Sequence, residues 1–124
     1  AWRWKHRIGG AMRQAGVVAA AGSWALKHHV DRLAEDHENA QLLAKRISAL
    51  DGVTLVNEKV ETNMVFFDVS KTPLSAAEIS ARLREKGIWI GPFGEQKMRA
   101  VTHLDVRRED IIETSDALAD ILVH

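Results

Sequence analysis

The apolar pattern of the chain changes period once, at Asp51-Gly52, and this change limits the fold more than any other feature. Apolar residues recur at helical spacing through residues 23–50, whereas those of 53–56 and 62–69 follow the pattern of strands. Gly52 suits the end of a helix, because glycine readily adopts the left-handed backbone found there. The sequence therefore predicts a helical segment followed by a small sheet.

The part before Asp51 predicts two long helices. Residues 12–21 are rich in alanine and valine and carry few charges, which is typical of a helix buried on most sides. Residues 23–50 predict an amphipathic helix of several turns with one apolar stripe: Leu26, Val30, Leu33, His37, Ala40, Leu43 or Ala44, and Ile47. We expect residues 1–50 to form a helical connection that packs on a larger domain outside this sequence.

Residues 51–124 predict a small α+β domain with four strands, at 53–56, 62–69, 88–90 and 98–102. A helix begins after the N-cap Ser75, runs through Lys86 and ends at Gly87. A last helix at 107–123 has an inner face of Ile111, Ile112, Leu118 and Leu122. The predicted fold class is thus α+β: long N-terminal helices, then a small, mainly antiparallel sheet covered by helices.

Composition argues against several classes of protein. The 17 Lys and Arg residues balance the 17 Asp and Glu residues, so no overall field attracts nucleic acid or anionic lipid. The chain has no cysteine, which excludes disulfides and cysteine-based metal or redox chemistry. No apolar run approaches the roughly 20 residues that cross a bilayer. We expect a cytoplasmic protein with no nucleic-acid and no membrane partner.

The first candidate site is in the opening stretch AWRWKHRIGGAMRQAG. Gly9 and Gly10 precede the predicted helix at 12–21, whose free N–H groups and positive dipole end would suit a phosphate, and Arg13 adds a charge. A double glycine before a helix is more often a plain turn, and the longer phosphate-loop patterns are absent. The residues alone leave both interpretations open and favour the turn.

The second candidate site is in MRAVTHLDV, residues 98–106. Arg99 is a charged residue in an apolar strand, so it lies either at the sheet edge in solvent or in a cleft where it binds a carboxylate. The residues alone favour the solvent position. His103 and Asp105 are two positions apart and predict a hydrogen-bonded pair with a structural role.

The histidines do not predict a metal site. His28 and His29 are adjacent on a helix, so their side chains diverge by about 100° and cannot easily share one ion. His37 lies more than two turns from His28. We therefore assign no metal ligand and expect a surface or interface role for these residues.

Four stretches, in this order, resemble the low-specificity L-threonine aldolase family of fold-type I pyridoxal-phosphate enzymes. They are RWKHRIGGAMRQAGVVAAAG at 3–22, HHVDRLAEDHENA at 28–40, TNMVFFDV at 62–69 and MRAVTHLDV at 98–106. The resemblance implies that the chain is the C-terminal part of such an enzyme. The lysine that holds the cofactor covalently would then precede Ala1, and Ser70-Lys71 has no glycine-rich context that would make Lys71 its equivalent.

The resemblance also implies roles for individual residues. Arg13 matches an arginine near the cofactor phosphate, Gly9 and Gly10 match the glycine turn before it, and His6 stands where the family often has lysine. Arg99 matches the arginine that holds the substrate α-carboxylate, which reverses the preference for solvent. No residue of the chain is assigned as catalytic.

The implied reaction is the cleavage of L-threonine or L-allo-threonine to glycine and acetaldehyde with pyridoxal phosphate as cofactor. The expected partners are an amino-acid substrate, the remaining N-terminal part of the enzyme and further copies in a homo-oligomer. The isolated chain is expected to be inactive. The alternative is a non-catalytic binding or dimerisation module, with the helix at 12–21 as its interface.

Overall fold

Two helices occupy the N-terminal unit. In the computed structural model, which describes residues 1–123, the chain divides into one unit at Ala1–Leu33 and a second that begins at Ala34. The first unit contains α1 at Trp2–Arg7 and α2 at Gly16–His28. Gln14 adopts a left-handed backbone with φ 54°, which interrupts helical geometry. The helix predicted at 12–21 therefore begins later than expected, and no α2 side chain is buried within residues 1–123.

The single long helix predicted for 23–50 is wrong. α2 ends at His28, and α3 spans Leu33–Ile47. Between them the N–H of Leu33 donates to the carbonyl of Val30 at 3.2 Å, a tight turn that interrupts the helical register of the apolar stripe. As a result Leu26, Val30 and Leu33 are exposed and His37 is half-buried. The later stripe positions on α3 are buried: Ala40, Leu43, Ala44 and Ile47.

A four-stranded antiparallel sheet forms the centre of the second unit. The strands are β1 at Thr54–Leu55, β2 at Met64–Asp68, β3 at Gly91–Pro92 and β4 at Lys97–Val101, in the spatial order β1-β2-β4-β3. Along β2 and β4 buried and exposed residues alternate, as expected for a sheet with one covered face. The predicted α+β fold class is confirmed.

Three helices contribute to the core beside this sheet. They are α3, α4 at Ala76–Glu85 and α5 at Arg108–Val123. Their fully or nearly fully buried side chains meet those of the covered sheet face in one cluster: Leu43, Ile47, Val65, Phe67, Ile79, Leu83, Met98, Ala100, Ile111 and Leu118. Because α3 shares this core, the structure separates the units at Leu33 and Ala34 and not at the predicted boundary between 50 and 51.

Local signals at the ends of elements are confirmed. Ser75 is the N-cap of α4, and its hydroxyl and the Glu78 side chain form a capping box. Gly52 has φ +82°, and a Cβ there would lie 2.8 Å from Cγ2 of Thr72 and 3.0 Å from the carbonyl oxygen of Lys71. Only glycine meets both conditions at residue 52. The helix itself ends earlier than predicted, at Ile47, and residues 48–52 form turns before β1.

Two details differ from the prediction. The third strand lies at Gly91–Pro92 because residues 88–90 bond to α4: the N–H of Ile88 donates to Leu83 at 2.9 Å, and the Ser80 hydroxyl donates to Ile90 at 2.7 Å. On α5, Ile112 is 39% exposed and Ile121 is buried, since the buried positions follow Ile111 at helical spacing. No helix within residues 1–123 is long and apolar enough to span a membrane.

Candidate functional site

Arg99 lies on the open face of the sheet. Its neighbours on β4, Met98 and Ala100, are buried in the core, so the pleat directs Arg99 to the opposite side, where it is exposed. The antiparallel register places Phe66 of β2 beside it on one side and Gly91 of β3 on the other. Three adjacent strands therefore determine its surroundings.

Two aromatic rings accompany the guanidinium. Its carbon Cζ lies 5.9 Å from the ring centre of Phe93, and the rings of Phe93 and Phe66 meet edge to face with centres 5.2 Å apart. Among residues 1–123, no acidic side chain forms an ion pair with Arg99. A guanidinium carries five N–H donors in a planar fork that matches a carboxylate. The open face thus offers a positive group with donors that pair with no acidic side chain among residues 1–123.

Asp68 is the acidic residue in the next row on the same face of the sheet, and Ser70 binds its carboxylate. Asp68 pairs in register with Lys97, and its carboxylate accepts the backbone N–H of Ser70 at 2.8 Å. Hydrogen bonds from the Ser70 hydroxyl and N–H, helped by the charges of Lys97 and Lys71, hold the pKa of Asp68 below its usual value. Asp68 is therefore negative at neutral pH and is bound by Ser70, which leaves the Arg99 charge available for a ligand.

Buried hydrogen bonds fix the segment that follows β4. Thr102, almost fully buried, donates its hydroxyl to the carbonyl of Asp36 at 2.6 Å. Its N–H donates to the carbonyl of Asn63 at 2.9 Å, and the Asn63 amide donates back at 2.8 Å. The amide of Asn39 binds the carbonyl of Val106 at 3.2 Å. The segment after Arg99 is thereby tied to α3 and to the start of β2.

Sequence reasoning missed this network. Its members come from three of the four stretches that carry the family resemblance, residues 28–40, 62–69 and 98–106. One signal was present: Asp36 and Asn39 are polar residues one position before members of the predicted apolar stripe, His37 and Ala40. A polar side chain that close to a core position is expected to have a buried partner.

Replacing Thr102 with valine is expected to lower the free energy of unfolding by about 1–2 kcal/mol, because valine keeps the shape but removes the hydroxyl donor. The midpoint of urea denaturation measures this loss. Thr62→Val is the matched control, since the Thr62 hydroxyl is exposed and accepts the N–H of Met64 at 3.3 Å. Equal losses in the two variants would contradict the structural role given to Thr102.

His103 and Asp105 form the predicted pair, in a turn beyond the end of β4. Nδ1 of His103 lies 3.6 Å from the Asp105 carboxylate and 3.3 Å from the Asp105 backbone nitrogen, which donates to it. Both residues are exposed. His103 also lines a cleft of about 330 Å³ together with Trp89, Asp110 and Ile111, and Arg99 is not among the residues that line this cleft.

The other candidate residues belong to the N-terminal unit. His6 lies in the last turn of α1, and Gly9 and Gly10 close that helix. The N–H of Gly9 donates to the carbonyl of His6 at 3.4 Å, and that of Gly10 to the carbonyl of Lys5 at 2.7 Å. The helix-start interpretation of the two glycines is therefore wrong, because their amides are already bonded and α2 begins only at Gly16.

The side chains nearby fit a phosphate better than the glycine amides do. His6 and Arg13 are exposed, and each carries N–H donors suited to an anion. A Cβ at Gly10 would lie 2.7 Å from Cγ of Lys5, so the turn between His6 and Arg13 requires glycine there. The chemistry of this donor set is compatible with the phosphate of pyridoxal phosphate.

The histidines of α2 pack on an aromatic ring. The ring centres of His28 and His29 lie 4.5 and 5.0 Å from that of Trp24. His37 is half-buried on α3. Within the described part of the chain, no group of three or more His, Asp or Glu side chains is placed to hold a metal ion.

Comparison with known proteins identifies the family. The sequence model described as beta-eliminating lyase matches residues 1–71, more than half of the chain. The chain belongs to the beta-eliminating lyase family. It is 38% identical over 113 residues to the low specificity L-threonine aldolase of Escherichia coli K12, a match that covers 91% of this chain and 32% of that protein. It is 34% identical over 108 residues to low-specificity L-threonine aldolase 1 of Arabidopsis thaliana, covering 86% of this chain and 30% of that protein.

Solved structures with the same fold extend this result. The 8-amino-7-oxononanoate synthase of Francisella tularensis superposes with a TM-score of 0.69 at 17% identity, covering 85% of this chain and 31% of that one. The cystine C-S lyase C-DES, in complex with cysteine persulfide, superposes with a TM-score of 0.63 at 23% identity, covering 69% and 23%. The chain shares its fold with part of these enzymes, consistent with the C-terminal small domain of fold-type I pyridoxal-phosphate enzymes, and the resemblance seen in the four stretches is confirmed. This family member spans about a third of the length of its aldolase relatives.

Proposed function

We propose that the chain is the C-terminal part of a pyridoxal-phosphate-dependent aldolase that cleaves L-threonine and L-allo-threonine to glycine and acetaldehyde. The observation that supports this most directly is Arg99, an exposed guanidinium without an ion pair among residues 1–123, on a strand within one of the stretches that resemble threonine aldolases. In this proposal Arg99 binds the substrate carboxylate, and Arg13 and His6 contact the cofactor phosphate.

Arg99 contributes by orienting the substrate. Two parallel hydrogen bonds from one guanidinium hold both carboxylate oxygens and, with the amino group also held, restrict rotation of the amino acid about its Cα–N bond. When bound, the cofactor supplies an electron sink for cleavage of the Cα–Cβ bond. The chain's own task is to hold the substrate in the orientation in which that bond breaks, which explains why its arginine stands on a strand that is hydrogen-bonded on both sides.

In this proposal, polypeptide outside the 124-residue chain supplies the remaining parts of the site. The aldolase relatives are about three times as long as this chain, and we expect the lysine that holds the cofactor to lie in the additional part of the full-length enzyme. We also propose that the enzyme is a homo-oligomer and that the 124-residue chain by itself is inactive.

The test is a product analysis with the purified full-length enzyme. L-threonine and L-allo-threonine are expected to give glycine and acetaldehyde in equal amounts, with acetaldehyde measured by a coupled alcohol dehydrogenase assay and glycine by chromatography. D-threonine is the control substrate. Formation of 2-oxobutanoate and ammonia in place of acetaldehyde would instead assign the β-elimination that the family name describes.

A second candidate is a non-catalytic binding or dimerisation module. It is favoured by α2, whose apolar side chains Val17, Val18, Trp24 and Leu26 are all more than half exposed within the chain. Light scattering coupled to size-exclusion chromatography of the 124-residue chain tests this function. A defined dimer supports the module, whereas aggregation opposes it.

A further inference from the structure

Phe93 lies beside the open face of the sheet with its apolar ring exposed, and packing in the core does not account for this position. Its side chain is 58% exposed, although a ring of this size contributes most to stability when buried. Its backbone is well fixed, because its N–H donates to the carbonyl of Lys97 at 2.7 Å in the turn that joins β3 to β4. The ring is therefore held in solvent by a defined turn.

The contacts of this ring lead to Arg99. It meets Phe66 edge to face, and the Arg99 guanidinium lies within the distance at which a cation is attracted to the ring. Phe66 is also the cross-strand partner of Arg99. The ring of Phe66 on β2 and that of Phe93 in the turn after β3 thus contact each other, and both residues are neighbours of Arg99.

The other neighbour of Arg99 leaves space. Gly91 is its cross-strand partner on β3, and a Cβ built at Gly91 has no atom within 4 Å. A side chain at residue 91 would fit sterically, yet none is there. Arg99 consequently has aromatic neighbours and one open position in its own row of the sheet.

We propose that Phe93 is a positioning residue for Arg99: its ring holds the guanidinium so that the donors face the space above Gly91, where the carboxylate of an α-amino acid is received. The inference rests on the proposed function, in which Arg99 binds a substrate carboxylate. An arginine side chain has many rotamers in water, and a ring contact reduces the entropy lost when two hydrogen bonds form at once.

The test compares amino-acid binding to full-length enzyme variants, followed by the change in cofactor absorbance. Phe93→Leu keeps an apolar side chain but removes the ring. It is expected to raise the dissociation constant of glycine roughly 2- to 5-fold, the range that corresponds to one cation–π contact at an exposed site. Glycinamide, which has no carboxylate, is expected to bind Phe93→Leu and the unmodified enzyme equally. Phe93→Tyr, which restores a ring, should restore glycine binding.

Trp89→Leu is the matched control. In the unmodified chain the Arg84 guanidinium lies 4.8 Å from the ring centre of Trp89. The variant therefore removes another exposed aromatic–arginine contact and leaves Arg99 and Phe93 unchanged. Glycine binding should be unchanged in it. Because Phe93 is mostly exposed, its replacement is not expected to prevent folding, and Phe93→Met is the second replacement if Phe93→Leu does not accumulate.

The outcomes separate this inference from the proposed function. Weaker glycine binding in Phe93→Leu in an enzyme that does not cleave threonine would support the positioning role and reject the aldolase. Threonine cleavage with unchanged glycine binding in Phe93→Leu would do the reverse. Equal weakening of glycine and glycinamide, an equal effect of Trp89→Leu, or no binding of any α-amino acid would overturn the positioning role.

Discussion

Replacing Arg99 with lysine in the full-length enzyme is expected to lower kcat/KM for L-threonine cleavage by roughly 100- to 1,000-fold. Lysine keeps the positive charge but is a point donor, so it cannot hold both carboxylate oxygens in one plane. The substrate then rotates more freely about its Cα–N bond, and kcat falls together with affinity. Steady-state assays with L-threonine and L-allo-threonine measure both constants.

Lys97→Gln is the matched control for this experiment. Lys97 is exposed on the same strand and face as Arg99, but in the row that pairs with Asp68. Replacing Lys97 by Gln removes one positive charge from the open face but leaves the group proposed to bind the substrate carboxylate. We therefore expect kcat/KM to stay within about threefold. A similar loss in both variants would mean that the general charge of this face, and not the geometry of one guanidinium, accounts for catalysis.

The two ends of α4 illustrate what the sequence can predict. Ser75 and Glu78 are three positions apart and form their capping box without help from the rest of the chain. By contrast, the alternation of Ile88 and Ile90 predicts the third strand at 88–90, before its position in the structure at Gly91–Pro92. Ser80 and Leu83 of α4 hold their backbone instead, and a contact between residues ten positions apart is not visible in a pattern of period two.

For the candidate site too, local features could be predicted from the sequence, whereas contacts between distant segments could not. The residues alone favour a solvent-exposed position for Arg99, and it is exposed in the structure. Its role as a carboxylate ligand is implied only by the family resemblance and stays a proposal. The rings of Phe66 and Phe93 and the space at Gly91 depend on the register of three strands. Register is a property of pairing between distant segments, so no local signal could have assembled this group.

The N-terminal candidates show how a correct motif can have a different structural cause. For Gly9 and Gly10 the sequence leaves an open helix start and a plain turn as alternatives and favours the turn, and in the structure they end α1 with their amides bonded to its carbonyls. Both interpretations predict glycine at the same positions, because a helix end and an anion-binding turn each need a backbone without Cβ. Only the hydrogen bonds of the amides distinguish them.

The largest expected loss of stability follows from Phe67→Ala. Phe67 is fully buried at the centre of the core, where it pairs across the sheet with the fully buried Met98 of β4. Its truncation is expected to lower the free energy of unfolding by about 3–5 kcal/mol, because the cavity left in a tightly packed core adds to the lost transfer free energy. Urea denaturation followed by far-ultraviolet circular dichroism measures the change.

Met64→Ala is the control, and it tests whether the open face that carries Arg99 is exposed or packed. Met64 lies on the same strand as Phe67 but on the open face, where it is 41% exposed, so its truncation should cost less than about 1 kcal/mol. A loss at Met64 as large as that at Phe67 would show that the open face is itself a packed core surface. Arg99 would then have to be buried under other polypeptide, and its donors would need partners there in place of a substrate carboxylate.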